Sequence, residues 1–504
     1  MRRLYHTPNM CGVFGLISFE PVAPRLVQAA DRLQSRGEHS TGVSTFDGKL
    51  FWDHGGLGPA SAVFQNYDLG QLRGMAGLAH TRYATTGGGT KELLLRNRQP
   101  VGSDRPGLRT CANGDLVNLH SARRQLMTKG YTFQTEVDAK VVQNFLIERL
   151  LEHKAHEACD SETYASRLFA AVRDVHRDLV GAYTVLTVTE RGLLAFKDPH
   201  GIRPGCVAFR EKPGDMFGAR EVAFASESSV FNYFGDYHDI REIEPGEAIF
   251  VEADTLRLHT DRASESKGAF CFFEFVYFAR PDSKFKGRVV EAARRDLGRV
   301  LAEEYAGQKG KVDVVIGVPG TGVSAGIEMA RRWGVPFENG IIKVGAKRSF
   351  QETSQEKRER AIDEKFLFIK EFVDGKSVAV VDDSNVRGTT ARKIARRLFD
   401  LGAREVHLYY FCPKVIGPCF YGIDTPDESK LVAAGRSDEE IRAWVGATSV
   451  NYISIEGLIR GLSLPQSELC LACVTKHYPT PVAAAQERVA LRNSEQMSCA
   501  EWPS

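Results

Sequence analysis

The sequence predicts two domains, an α+β layered one followed by a doubly wound parallel α/β one. Three observations carry this. The chain has 504 residues, and one hydrophobic core rarely serves more than about 250–300. From about Cys11 to Ala263 it is rich in short alternating apolar segments, the two-residue period of half-buried strands. Beyond that, continuous apolar runs alternate with helical patterns, as in a parallel sheet covered on both faces.

The elements follow in chain order. Residues 1–10 read as a leader or upstream extension, without the apolar middle of a secretory signal. Cys11-Gly-Val-Phe-Gly-Leu-Ile17, Met75-Ala-Gly-Leu-Ala79 and Ala182-Tyr-Thr-Val-Leu-Thr-Val188 read as strands. Helical spacing predicts helices over Val22–Leu33 and Ala139–Leu151. The first domain is drawn over 11–263 and the second over 264–465. In the second, Val312–Val318 is a buried-strand pattern and Gly322–Arg332 a helix. Lys376–Val381, Thr390–Leu401 and Glu405–Phe411 read as strand, helix, strand. Residues 466–504 form a C-terminal segment, helical or frayed after Thr480.

Composition narrows the class. With 43% hydrophobic and 26% charged residues, the chain is that of an ordinary globular protein. Lys plus Arg is 66 against 64 for Asp plus Glu, so net charge gives no reason to expect nucleic acid or an anionic membrane. The basic cluster of Arg392, Lys393, Arg396 and Arg397 has helical spacing and reads as a solvated face. No apolar run is long enough for a spanning helix, and a cytoplasmic location is expected. Ten cysteines in so long a chain suit metal binding or chemistry better than a disulfide scaffold.

Met10-Cys11 invites a specific chemistry. A cysteine at the head of a chain can use its own α-amine as base, since that amine titrates near pH ~8. Removal of Met10, or of a longer leader, would expose it. Alone, Cys11 would read better as a small buried residue opening a strand. It is followed in order by Leu33-Gln-Ser-Arg-Gly37, Gly77-Leu-Ala-His-Thr-Arg-Tyr83, Ala112-Asn-Gly-Asp-Leu-Val-Asn118 and Asp138. This series resembles that of class II glutamine amidotransferases, N-terminal-nucleophile enzymes with an αββα sandwich. The resemblance implies Cys11 as nucleophile, with the Asn113 side chain and Gly114 amide receiving the oxyanion. It assigns the glutamine carboxylate to Arg82 and the α-ammonium to Asp138. Arg36 and Gly37 would shape the glutamine pocket. Glu38-His39 departs from the Gln and acidic residue more familiar after Arg-Gly.

A second motif carries the other half. Val378-Ala-Val-Val-Asp-Asp-Ser-Asn-Val-Arg-Gly-Thr-Thr390 ends a buried strand in two carboxylates, then enters a helix through a loop of small residues. Ligands bind at the carboxyl ends of such strands, and the loop and helix start offer N–H groups to phosphate. A plainer reading is a helix capped by Thr389 or Thr390. The segment resembles the phosphoribosyl pyrophosphate motif of type I phosphoribosyltransferases. That implies Ser384, Arg387, Gly388, Thr389 and Thr390 around the 5′-phosphate. Asp382 and Asp383 would hold the ribose hydroxyls or hydrated Mg²⁺. Thr321, Lys347 and Arg348 are further expected contacts.

Cys271-Phe-Phe-Glu-Phe-Val-Tyr-Phe-Ala-Arg-Pro-Asp-Ser283, Lys197-Asp-Pro-His-Gly-Ile-Arg-Pro204 and Gly417-Pro-Cys-Phe-Tyr-Gly-Ile-Asp424 narrow the kinship further. With them, the chain from about Cys11 to Pro479 is similar to amidophosphoribosyltransferases. The resemblance implies that glutamine, water and phosphoribosyl pyrophosphate give 5-phosphoribosylamine, glutamate and pyrophosphate, the first step of purine biosynthesis. It also implies an internal ammonia passage, purine nucleotide regulators and a homotetramer. Cys470-Leu-Ala-Cys473 alone could be a zinc pair, a redox pair or chance. In the iron–sulfur class of the family, cysteines matching Cys271, Cys419, Cys470 and Cys473 hold a [4Fe–4S] cluster. Cys412 is a nearby competitor ligand.

Three departures fall in the second domain. Pro319-Gly320-Thr321 stands where the family usually has Pro-Asp-Ser or Pro-Asp-Thr. The loop Val344-Gly-Ala-Lys-Arg-Ser-Phe350 is one residue shorter than the family's lid loop. Asn385 replaces an apolar residue. They motivate a second reading, a divergent paralogue that keeps glutaminase activity with an altered or absent phosphoribosyl transfer. A non-catalytic nucleotide sensor or scaffold is the third, and intact Cys11, Arg82, Asn113 and Asp138 argue against it.

Overall fold

The structure is a computed structural model, and it describes residues 10–84, 90–211, 219–344, 366–425 and 427–487. The first domain holds thirteen strands among the described residues. They are β1 (Gly12–Ser18), β2 (Ser40–Phe46), β3 (Phe51–Leu57), β4 (Ala76–Arg82), β5 (Val101–Asp104), β6 (Gly107–Leu116) and β7 (Gly181–Thr189). β8 (Gly192–Lys197), β9 (Cys206–Glu211), β10 (Ala219–Ala225), β11 (His238–Glu242), β12 (Glu247–Glu252) and β13 (Leu258–Arg262) complete them. Two sheets result, in the orders β11-β9-β10-β1-β4-β2-β3 and β13-β12-β8-β7-β6-β5.

The two sheets face each other across an apolar layer that includes Val13, Leu78, Leu186, Leu193, Val222 and Ile249. Helices close both outer faces. Ala23–Arg32 and Ser229–Phe234 cover the first sheet. Leu119–Thr128, Asp138–Glu152 and Ser161–Asp178 cover the second. The result is the expected αββα sandwich. The helices expected over Val22–Leu33 and Ala139–Leu151 form within a residue of those bounds. Leu119–Thr128 and Ser161–Asp178 were not anticipated. The latter opens on Asp160, whose carboxylate accepts the Thr163 N–H at 2.8 Å, an N-cap that satisfies one orphan donor of the first turn.

The second domain begins with β14 (Phe270–Cys271) and the hairpin β15 (Lys284–Phe285) and β16 (Arg288–Val289). Its main strands are β17 (Val314–Gly317), β18 (Phe337–Glu338), β21 (Ser377–Asp382), β22 (Glu405–Tyr410) and β23 (Ser449–Tyr452), with β19 (Ile341–Lys343) and β20 (Phe366–Phe368) as a side hairpin. The main sheet is parallel throughout, in the order β18-β17-β21-β22-β23. Helices Gly322–Trp333 and Thr389–Asp400 contribute to the apolar clusters flanking it. β14 pairs in parallel with β24 (Leu469–Cys470). Among the described residues no helix is long and apolar enough to cross a membrane.

The domains share apolar packing. Met10, Val117, Ala182 and Ile202 belong to the same buried cluster as Phe270, Phe272 and Phe275.

Candidate active sites

Strand pairing assembles the first site. Gly12 is the register partner of Thr81, which sets Cys11 beside Arg82. The Cys11 thiol donates to the Tyr83 carbonyl at 3.5 Å. Burial pushes that thiol up, while Arg82 and the Tyr83 contact draw it down. Arg82 is itself held below its ordinary value by burial, opposed by the charges of Cys11, Asp115 and Asp138. Asp138 opens the helix Asp138–Glu152, and its carboxylate accepts the Leu116 N–H. Gly37 approaches the Arg82–Tyr83 peptide so closely that a Cβ would lie 2.4 Å from the Arg82 carbonyl carbon.

Asn113 lies on β6 and is wholly buried. Neither atom of its side-chain amide makes a hydrogen bond among the described residues. A buried polar group left unsatisfied costs about 1–3 kcal/mol, so such a donor marks a place built for a ligand. Gly114 follows with φ 136°, and a Cβ there would lie 1.9 Å from the Ala182 carbonyl oxygen. No other residue fits that backbone. Met10 is buried and still joined to Cys11. The Cys11 nitrogen is therefore a peptide amide here, and serves as an amine base only after Met10 is removed.

Arg36 corrects an expectation. Its guanidinium is fully buried and already engaged. It donates to Glu227 at 2.7 Å, to both oxygens of Glu274 at 3.0 Å, and through Nε to the Cys11 carbonyl at 2.9 Å. It is no ligand for glutamine; it fixes the nucleophile's own backbone. Two carboxylates from distant segments satisfy it, and their pairing is not visible in local sequence.

In the second site β21 ends in Asp382 and Asp383. Asp383 accepts from the Thr321 hydroxyl and, at 2.7 Å, from the Ser384 hydroxyl. Burial pushes its carboxyl up, opposed by these two hydrogen bonds and by Arg294. Thr321 is thus turned onto Asp383. Arg387 is exposed, donates to the Asp424 carbonyl at 3.2 Å and lies 3.7 Å from its carboxylate. Neither Thr389 nor Thr390 caps the helix. Gly388 does, with φ 75° and no side-chain cap bond. A Cβ at Gly388 would lie 2.3 Å from the Trp444 ring, so only glycine makes the turn. Gly388 offers the first N–H groups of the helix no side-chain acceptor, which leaves a helix start of the kind that binds anions.

Asn385 is buried and donates to the Tyr452 hydroxyl at 2.9 Å, which accounts for a polar residue there. Gly320 takes φ 110°. The expected contacts Lys347 and Arg348 lie outside the described residues. Arg392, Arg396 and Arg397 are exposed, in keeping with a solvated face.

The two sites are joined through one segment, since a Cβ at Gly422 would lie 3.4 Å from Gly114 and Asp424, two residues on, accepts from Arg387. Tyr83 has its hydroxyl pushed up by burial and by Asp424, and drawn down by Arg387. Tyr277, from the turn Glu274–Phe278, is pushed up by burial and by the charges of Asp383 and Asp382, with Tyr83 also near. Tyr83, Tyr277, Asp424, Glu227 and Glu274 were not singled out from the sequence, although Tyr83, Glu274, Tyr277 and Asp424 sit inside quoted motifs.

The four cysteines gather in one region. Cys271 and Cys470 are register partners of β14 and β24. The Cys473 carbonyl accepts the N–H groups of Ile416 and Gly417, just before Cys419. Cys271, Cys470 and Cys473 are buried and Cys419 half-buried. Cys473 has its thiol pushed up by burial and then by the charges of Cys419, Cys412, Cys271 and Cys470. Zinc draws its sulfurs to ~2.3 Å of one point; among the described residues no three His, Cys, Asp or Glu side chains converge so. Four buried or half-buried thiols in one region are the donor set that a four-thiolate centre would use.

Comparison with known proteins completes the site. Residues 290–451 match the phosphoribosyl transferase domain model and residues 90–232 the glutamine amidotransferase domain model. The amidophosphoribosyltransferase of Methanocaldococcus jannaschii is 36% identical over 94% of this chain and 98% of its own length. That of Bacillus subtilis is 36% identical over 94% of both chains. The solved B. subtilis glutamine phosphoribosylpyrophosphate amidotransferase, complexed with ADP and GMP, superposes with a TM-score of 0.80 at 35% identity, covering 94% of this chain and 98% of that one. A second structure, described as the allosteric regulatory enzyme of purine biosynthesis, gives 0.79 at 34% identity, covering 94% and 97%. The chain belongs to the amidophosphoribosyltransferase family.

Proposed function

We infer that the chain catalyses the family reaction, the glutamine-dependent conversion of phosphoribosyl pyrophosphate to 5-phosphoribosylamine. The observation that carries it is that one short segment touches both sites: a Cβ at Gly422 would lie 3.4 Å from Gly114 beside Asn113, and Asp424, two residues on, accepts from Arg387 of the phosphoribosyl-type motif.

The chemistry follows from the residues. The Cys11 thiolate attacks the glutamine amide carbon. The oxyanion takes the free Asn113 amide and the Gly114 N–H, donors already in place and shielded from water. Arg82 pairs with the glutamine carboxylate, and Asp138 takes its ammonium. Collapse of the intermediate releases ammonia and leaves a thioester, which water hydrolyses to glutamate. Ammonia passes inward along the Tyr83–Tyr277 side, where burial protects it from bulk water. It then attacks C1 of the sugar phosphate, and pyrophosphate departs.

Ser384, Gly388, Thr389 and Thr390 receive the 5′-phosphate at the uncapped helix start, with Arg387 at its edge. Asp383 is occupied by two hydroxyls, so half-buried Asp382 is the better placed carboxylate for hydrated Mg²⁺. Mg²⁺ keeps several waters in such sites and when bound neutralises pyrophosphate charge. We also read Cys271, Cys419, Cys470 and Cys473 as ligands of a [4Fe–4S] cluster, supported by their shared burial and by four thiolates being the usual set. Kinship further supports a cytoplasmic homotetramer under purine nucleotide control; the B. subtilis relative was solved with ADP and GMP.

The test is an assay of glutamate and pyrophosphate on anaerobically purified protein. Glutamate formation stimulated by phosphoribosyl pyrophosphate and Mg²⁺, with matching pyrophosphate, is expected. Glutamate without pyrophosphate would sink the transfer step and favour the divergent-paralogue reading.

A further inference from the structure

Arg203 lies in the first domain, just before β9, and is fully buried. Its segment is bound to two of the four cysteine positions in the second domain. The Cys271 N–H donates to the Ile202 carbonyl at 3.1 Å. Arg203 Nε donates to the Tyr421 carbonyl at 2.6 Å, and the Tyr421 N–H in turn donates to Cys419 Sγ at 3.4 Å. Arg203 Nη1 is 3.6 Å from Glu274 Oε1, an ion pair without a hydrogen bond. Neither Nη1 nor Nη2 makes a hydrogen bond among the described residues.

A guanidinium cannot shed its proton in a protein, so burial leaves its N–H groups in search of acceptors. Two such groups stand idle here, on a residue whose segment is tied to the backbones of Cys271 and Tyr421, the latter bonded to Cys419 Sγ. A cluster on four thiolates brings the missing acceptors, its sulfides and thiolate sulfurs. Hydrogen bonds to those sulfurs are one of the levers that set a cluster's potential. Partners of this kind also orient ligands and hold the centre.

We propose that Arg203 is the hydrogen-bond donor to the sulfur atoms of the cluster bound by Cys271, Cys419, Cys470 and Cys473. This rests on the iron–sulfur reading. A centre whose four cysteines all lie beyond the first domain is then completed by a residue of the first, and the cluster fastens the two parts of the chain together.

The test begins with iron and acid-labile sulfide on anaerobically purified wild-type protein. Absence of both overturns the cluster reading and this proposal with it, while leaving the glutaminase assignment standing. With a cluster present, pulsed electron paramagnetic resonance is recorded on the reduced wild-type protein carrying guanidinium-nitrogen-15 arginine. Nitrogen coupling, and its loss or change in Arg203→Lys, is the expected result. Arg203→Met should shift the cluster to lower potential and lose its visible absorbance in air several-fold faster, with Arg203→Lys falling between. A wild-type spectrum without arginine nitrogen coupling overturns the proposal even if no variant folds, and points to water at the Nη groups. Unchanged potential and air stability in a folded Arg203→Met protein does so as well.

Discussion

Asn113 is the residue on which the proposed glutaminase mechanism turns. Its amide is buried and unpartnered, so it contributes nothing to the resting fold that a ligand would not redeem. Asn113→Ala should lower kcat for glutamine hydrolysis by about 10²–10³-fold, the usual effect of losing one oxyanion donor. The KM for glutamine and the melting temperature should hold. A fall in melting temperature with kcat intact would mark Asn113 as structural. His80 and His176 make a second test. Burial, with Arg82 beside it, pulls His80 down to about 3, and burial alone pulls His176 down to about 4. In the unfolded chain both titrate near 6.5. The folded form therefore gains stability from neutral imidazoles that is whole above pH ~6.5 and is lost as pH falls toward the folded values. Urea unfolding between pH 4 and 7 should show that slope, and His80→Gln should flatten it. The gathering of Cys11, Arg82 and Asp138 was anticipated because each sits in a run of distinctive neighbours. Arg36 was misjudged because its partners Glu227 and Glu274 lie far along the chain, and charge pairing over such separations leaves no local trace.

Elements were read well where one physical period dominates. β1, β7, β21 and the helix Gly322–Trp333 emerged close to their expected bounds, since each carries a continuous two- or 3.6-residue pattern. The helix after the phosphoribosyl motif was placed within a residue of its bounds, and the plainer reading of a threonine-capped helix is the one that fails. Serine and threonine are strong capping residues, yet here the left-handed turn at Gly388, wedged against Trp444, begins the helix. Trp444 lies far along the sequence and gives no warning of this. Gly388→Ala should raise the KM for phosphoribosyl pyrophosphate at least tenfold, because the helix start would have to shift. Glutamine hydrolysis measured without the sugar phosphate should be unaffected. An unchanged KM would mean that the phosphate lies elsewhere.

At the scale of the whole molecule, the domains meet through charge as well as apolar surface. Arg36 of the sandwich and Glu274 of the second domain form a fully buried bidentate pair. Removing one partner of a buried pair costs ~3–5 kcal/mol when the other is left charged and alone, but Arg36 keeps Glu227, so losing the Glu274 bonds should cost nearer ~1.5–3 kcal/mol. Glu274→Ala should show that loss in chemical unfolding. It should also loosen the coupling of the two reactions, read as glutamate formed in excess of pyrophosphate; full stability would show that Glu227 alone satisfies Arg36. None of this interface was legible, because a sequence shows which faces are apolar but not which face of one domain meets which face of the other.

The apolar cluster that takes in Met10, Val117, Ala182 and Ile202 together with Phe270 and Phe275 has a consequence for synthesis. A chain emerges from the ribosome amino end first, and domains generally fold in that order. The sandwich can complete its two sheets while the second half is still being translated, but this greasy rim then has nothing to lie against. For that interval the nascent protein carries a sticky face and suits a chaperone that binds exposed aliphatic and aromatic surface. A ribosome stalled once residue 263 has cleared the exit tunnel should hold the sandwich in a chaperone-bound form, and full-length translation should release it.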